Sequence, residues 1–98
     1  MSPRRFAARQ GRTDANSSII IKALRRCGAS VVDLHAVGGG CPDILASFRG
    51  VHYLIEIKTA DGALRDSQVA FREACRGPVH VVRSVAEALA VLGILLRE

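Results

Sequence analysis

GGGCPDILASFRGVHYLIEIK, residues 38–58, is the stretch that decides the fold. Residues 42–48 and 51–58 are strand-like, and Arg49-Gly50 lies between them as a two-residue turn, which predicts an antiparallel hairpin. In that register Phe48 faces Val51, Ser47 faces His52, Leu45 faces Leu54 and Asp43 faces Glu56. Side chains alternate along a strand, and directly paired residues share a face with Cβ atoms roughly 5 Å apart. The hairpin therefore sets two carboxylates side by side, with Lys58 two residues beyond Glu56 on the same face.

Adjacent like charges destabilise a sheet, and strand pairing rarely selects them unless a cation lies between them. Carboxylate and water oxygens are the ligands that Mg²⁺ and Mn²⁺ prefer. Such an ion can polarise a phosphoryl oxygen and lower the pKa of a bound water. A lysine beside it can position that water and offset charge in the transition state. The groups thus point to phosphodiester hydrolysis. Each motif also has a plainer reading. An Asp near a strand start is commonly a turn or cap residue, and Glu-x-Lys on a strand is commonly a solvated face. Leu54, Ile55 and Ile57 mark a substantially buried strand, where charged groups are costly without partners. Taken jointly, the features favour a site.

Working outward, Ile20, Ala23, Leu24 and Cys27 recur at helical spacing, which predicts a first helix over 15–27 with Thr13-Asp14 as capping oxygens and Gly28 as its stop. A short valine-rich strand follows over 30–34. On the far side of the hairpin, 59–64 reads as a polar loop. A second helix is expected over 67–76, capped by Asp66 or Ser67, and a strand over 79–83 of the apolar kind buried in the middle of a sheet. Ser84-Val85-Ala86-Glu87 fits the capping-box pattern and opens a final helix expected to run almost to the end. That helix is apolar nearly all round, so a second face is expected to meet another subunit. The fold class is α/β, in the order α-β-β-β-α-β-α, with a mixed sheet flanked by helices.

Ninety-eight residues make one domain. The formal net charge of +5 comes mostly from Arg4, Arg5, Arg9 and Arg12, which stand in a first segment without acids. Residues 1–13 are read as a flexible basic tail suited to phosphate contacts, with a merely solvated segment as the alternative, and 14–98 as the folded domain. The longest apolar run, 85–96, falls well short of the ~20 residues that span a bilayer, so no membrane role is expected. The three cysteines, Cys27, Cys41 and Cys75, are too widely spaced for a zinc or redox motif and read as reduced thiols of a cytoplasmic protein. His35, His52 and His80 show no metal-ligand spacing. Gly38-Gly39-Gly40 lacks the Lys-Ser/Thr of a P-loop and reads as a turn beside which a DNA backbone can pass.

The glycines with Pro42-Asp43, the hydrophobic strand and Glu56-Ile57-Lys58 resemble the PD-(D/E)xK nuclease superfamily, whose core is that of restriction endonucleases. They are most similar to small stand-alone VRR-NUC domains of phage and bacterial genomes. The similarity spans about residues 12–92 and includes Gln68 at the start of the second helix. It implies a Mg²⁺- or Mn²⁺-dependent endodeoxyribonuclease in which Asp43, Glu56 and the Ile57 carbonyl bind the metal. Lys58 would orient the attacking water, and Gln68 would support the lysine or the scissile phosphate. A chain this small offers little surface for a substrate, so a homodimer presenting two sites is expected, through the C-terminal helix, and the resemblance suggests branched DNA such as Holliday junctions or flaps as substrate. Many relatives carry a glutamate on the first helix, and the matching position here is read as Ile19. That departure supports the alternative of a DNA-binding module that kept the fold and lost cleavage. A small dimeric structural or regulatory protein is the third reading.

Overall fold

The computed structural model describes residues 4–95, with side chains from Ala15 onward. The side chains of Arg4, Arg5, Arg9 and Arg12, and with them the reading of a basic tail, lie outside the described residues. Seven elements follow in the expected order: α1 (Arg4–Arg26), β1 (Ser30–Asp33), β2 (Ile44–Phe48), β3 (Val51–Ile57), α2 (Asp66–Ala74), β4 (Val79–Val82) and α3 (Val85–Val91).

The hairpin has the expected register. Phe48 pairs with Val51, Ser47 with His52, Leu45 with Leu54 and Ile44 with Ile55. Arg49 and Gly50 both take positive φ, 52° and 83°, the backbone that a two-residue turn needs to match the strand twist. The Arg49 guanidinium lies 4.9 Å from the centre of the Phe48 ring. On the same side of the hairpin as Asp43 and Glu56, Ser47 Oγ and His52 Nδ1 are 2.6 Å apart. His52 thus has a local partner at the hairpin tip, five residues away in sequence.

Alternation along the hairpin separates two faces. Ile44, Ala46, Ile55 and Ile57 turn toward α1 and α3, where they join Ile20, Leu24, Ala88, Leu89 and Leu92 in one buried cluster. Area removed from water by such side chains supplies the main stabilisation of a domain this size. The opposite face carries Asp43, Leu45, Leu54 and Glu56. The sheet order is β1-β2-β3-β4, with the first two pairings antiparallel and the last parallel.

Four local expectations are corrected. First, α1 runs through Thr13 and Asp14 instead of starting after them. Arginine, alanine and glutamine upstream are good helix formers, and their preference outweighs a capping signal. Second, the α2 N-cap position is Arg65, not Asp66 or Ser67. Its N–H is satisfied from inside the helix, by Gln68 Oε1 at 2.8 Å. Third, β4 is an edge strand, not a central one. It is apolar because Val79 and Val82 are buried against the domain, while the Arg72 guanidinium takes the Val79 carbonyl at 3.2 Å. Fourth, α3 ends at Val91 instead of running on. Gly93 adopts φ 83°, and Ile94 N and Gly93 N return to the carbonyls of Leu89 and Ala90 at 2.9 and 3.0 Å. This left-handed exit satisfies the last carbonyls and folds Ile94 back onto the core. Most of the apolar residues of α3 are thereby used inside the chain, and among the described residues beyond it Leu95 is the large side chain left strongly exposed.

Candidate active site

The end of β3 is where the chemistry collects. Leu34 N donates to the Asp43 carbonyl at 2.8 Å, so Asp43 continues β2 by one step beyond its last formal pair. That step brings Asp43 opposite Glu56. Asp43 Oδ2 reaches over and accepts the Ile57 N–H at 2.7 Å, which fixes its carboxylate against β3. Glu56 is buried, only 3% exposed, and its Oε2 accepts from Gln68 Nε2 at 2.7 Å. Lys58 Nζ lies 3.6 Å from the same oxygen. The lysine's backbone is held on both sides, its N–H by the Val82 carbonyl at 2.9 Å and its carbonyl by Asn16 Nδ2 at 2.9 Å.

Gln68 does two things at once. Its oxygen caps α2 and its nitrogen serves Glu56, so the amide has one orientation that suits both. The expectation placed Gln68 beside the lysine or the phosphate, whereas its bond here goes to the glutamate.

These residues line one open cleft of about 550 Å³. Asp43, Glu56, Ile57, Lys58 and Gln68 are joined there by Gly38, Gly39 and Gly40. Because the Ile57 side chain is 1% exposed and points into the core, what it presents to the cleft is backbone. The three glycines all have positive φ, and Gly40 passes so close to α2 that a Cβ there would overlap the Ser67 carbonyl. The cleft thus stands between the glycine loop and the first turn of α2.

Electrostatics follow from this packing. Burial, and then the neighbouring Asp43 charge, push the Glu56 carboxyl up to about 7, against the pull of Lys58. A shared cation would relieve that crowding. Cys41, on the cleft wall, has its thiol pushed up by burial first and then by Glu56 and Asp43. It stays a thiol and a poor ligand, while the two carboxylates supply oxygens, the donors that fit Mg²⁺ or Mn²⁺. Among the described residues no third acidic, histidine or cysteine side chain completes a cluster with the two carboxylates.

The raised carboxyl has a consequence for stability. In the unfolded chain Glu56 ionises near 4.5, whereas in the folded metal-free chain it keeps its proton to about 7. The folded state then binds the extra proton, so the contribution of Glu56 to stability is fully present below 4.5 and is lost as pH rises through about 7. At about 1.4 kcal/mol per pKa unit, the loss should be on the order of a few kcal/mol. Thermal unfolding in EDTA between pH 4.5 and 8 is expected to show this decline, and Glu56→Gln to flatten it. An unchanged slope in the variant would assign the decline to other groups.

The residues missed in the sequence are on α1 and at the α2 entrance. Ile19, the position expected to replace a helix-one acid, is 57% exposed and outside the cleft. Ser17 lines the cleft and Asn16 holds Lys58, as the i, i+4 spacing of buried Ile20 and Leu24 would have indicated one turn earlier. The Asp14 side chain lies outside the described residues. Arg65 and His35 also line the cleft.

No protein-family model and no curated protein sequence matches this chain. A solved structure described as a VRR_NUC domain does, with a TM-score of 0.68 at 23% identity, over 83% of this chain and 94% of its own.

Proposed function

We propose that this chain, which has the fold of a VRR-NUC domain, is a metal-dependent nuclease that hydrolyses phosphodiester bonds in DNA. The observation that carries this reading is the paired Asp43 and Glu56 beside Lys58, at the end of a cleft open to a polymer. Asp43, Glu56 and the Ile57 carbonyl would hold Mg²⁺ or Mn²⁺, which when bound supplies Lewis-acid polarisation of a phosphoryl oxygen and an acidified water. Lys58 orients the attacking water and offsets charge building on the phosphorus. Gln68 keeps Glu56 pointed at the cleft, and Asn16 with the Val82 carbonyl keeps Lys58 in reach. The arginines of the first segment and the glycine loop complete the proposal as backbone contacts.

The finer form of the reading is an endonuclease selective for branched DNA, working as a homodimer with two sites. The fold analogy suggests the selectivity, and the small surface of one chain suggests the dimer. For the dimer, α3 offers less than its composition suggested, because its apolar side chains pack within the chain. Among the described residues no helix is long and apolar enough to cross a membrane.

The test is cleavage of labelled duplex, single-stranded, flap and four-way-junction DNA with Mg²⁺ or Mn²⁺, against an EDTA control. Asp43→Asn is the informative variant, since an amide oxygen can still accept the Ile57 N–H while the charge is gone. It is expected to abolish cutting and to weaken Mn²⁺ binding by at least about tenfold, read by calorimetry. Full activity in this variant would overturn the assignment. A second reading, DNA binding without cleavage, is favoured by the cleft-facing position on α1 being Ser17 instead of a carboxylate. Binding without cutting under every metal condition would put that reading first.

A further inference from the structure

Building on the nuclease reading, we propose that Arg65 binds a phosphate of the DNA strand flanking the scissile one, and so selects a polymer over an isolated phosphodiester. Two cationic side chains line the cleft among the described residues, Lys58 and Arg65. They differ in what they can do. Lys58 is drawn inward, its side chain 14% exposed and its Nζ against Glu56. Arg65 is exposed, and its guanidinium has no ion-pair partner among the described residues.

Position separates the roles further. Arg65 is the N-cap residue of α2, and its own N–H is tied to Gln68 Oε1. Its backbone is therefore anchored to the residue that holds Glu56, and the side chain is free to reach over the cleft from a fixed root. Just ahead of it, Arg83 Nη1 grips the carbonyls of Thr59 and Gly62, at 2.8 and 2.6 Å, so the loop that carries Arg65 toward the cleft is braced. The same cleft is lined by Gly38 and Gly39, where a Cβ would meet nothing within 4 Å. A strand lying over those glycines meets no side chain from them, and Arg65 is the exposed cleft residue able to bring a guanidinium to it. Guanidinium groups suit phosphate because their planar fork offers two parallel donors to two oxygens.

This makes Arg65 a substrate-binding residue whose loss is felt by DNA and not by a substrate that has only the reacting phosphate. Wild type, Arg65→Ala and Arg65→Lys would be compared on labelled DNA and on bis(4-nitrophenyl) phosphate, with Mn²⁺. The expected result is a 10- to 100-fold fall in the DNA-to-bis(4-nitrophenyl) phosphate ratio of kcat/KM for Arg65→Ala, carried by KM. Arg65→Lys is expected to recover part of it. The slope of log Kd for DNA against log salt should become shallower by about one phosphate contact. An unchanged ratio and slope would overturn the proposal. Equal losses on both substrates would do so too, because Arg65 would then be shaping the site. If the wild type hydrolyses neither substrate, the nuclease reading itself fails, a result distinct from either of those.

Discussion

Lys58→Ala is expected to lower the rate of metal-dependent DNA cleavage by about three orders of magnitude while leaving DNA affinity within a few-fold of wild type. The Lys58 ammonium is the cation placed against the carboxylate pair, 3.6 Å from Glu56 Oε2, and it opens onto the cleft. A positioned proton-transfer group is worth about 10² to 10⁴ in rate, and an electrostatic donor aimed at developing charge about as much again. One side chain serving both functions cannot give their full product, so a loss near the middle of that range is the reasonable expectation. The fold should tolerate the change. Lys58 contributes nothing to the buried cluster, its backbone bonds do not depend on the side chain, and Glu56 keeps the Gln68 amide. Single-turnover cleavage with saturating enzyme separates the rate from binding. A variant that cuts at the wild-type rate would move the chemistry away from β3 altogether.

That prediction was already contained in the residues of the hairpin, and the reason is geometric. A strand pair has a period of two, and a two-residue turn sets its register. The Arg49-Gly50 turn is therefore enough to place Asp43 opposite Glu56 and Lys58 on the same face. A helix gives no such guarantee. Which residue of α1 meets the cleft depends on how the helix is rotated against the sheet, and an analogy of sequence put Ile19 there. The buried pair Ile20 and Leu24 fixes the rotation instead, leaving Ile19 in solvent and bringing Asn16 and Ser17 to the site. The edge position of β4 was hidden for another reason. A strand covered on its faces reads as apolar whether or not a neighbour lies beside it, and the Arg72 contact that occupies its Val79 carbonyl comes from another element. The double role of Gln68 was equally out of view, since it depends on α2 beginning one residue earlier than its capping oxygens suggested.

Gly40→Ala is expected to destabilise the protein by about 3–5 kcal/mol, and Gly39→Ala by only about 1 kcal/mol. Both glycines have positive φ, 81° and 65°, so each alanine carries the same kind of backbone penalty. They differ in what a methyl group would meet. At Gly39 it would enter open space, while at Gly40 it would overlap the Ser67 carbonyl and press on Gln68 N. Those atoms belong to the first turn of α2 and cannot rotate away as a side chain could. Relief requires α2 to shift, and its Gln68 amide to move with it from Glu56 Oε2. For a domain of about 100 residues each kcal/mol lowers the midpoint by about 4–8 °C, so thermal unfolding should distinguish the two variants clearly. The residual activity of folded Gly40→Ala at low temperature carries the second half of the argument. If α2 yields to relieve the overlap, stability will recover toward the Gly39→Ala value, and cleavage will fall instead, because the same helix turn that meets the glycine loop also orients the buried glutamate. Equal stability and equal cleavage in the two variants would mean that the close approach of loop and helix does not brace the site.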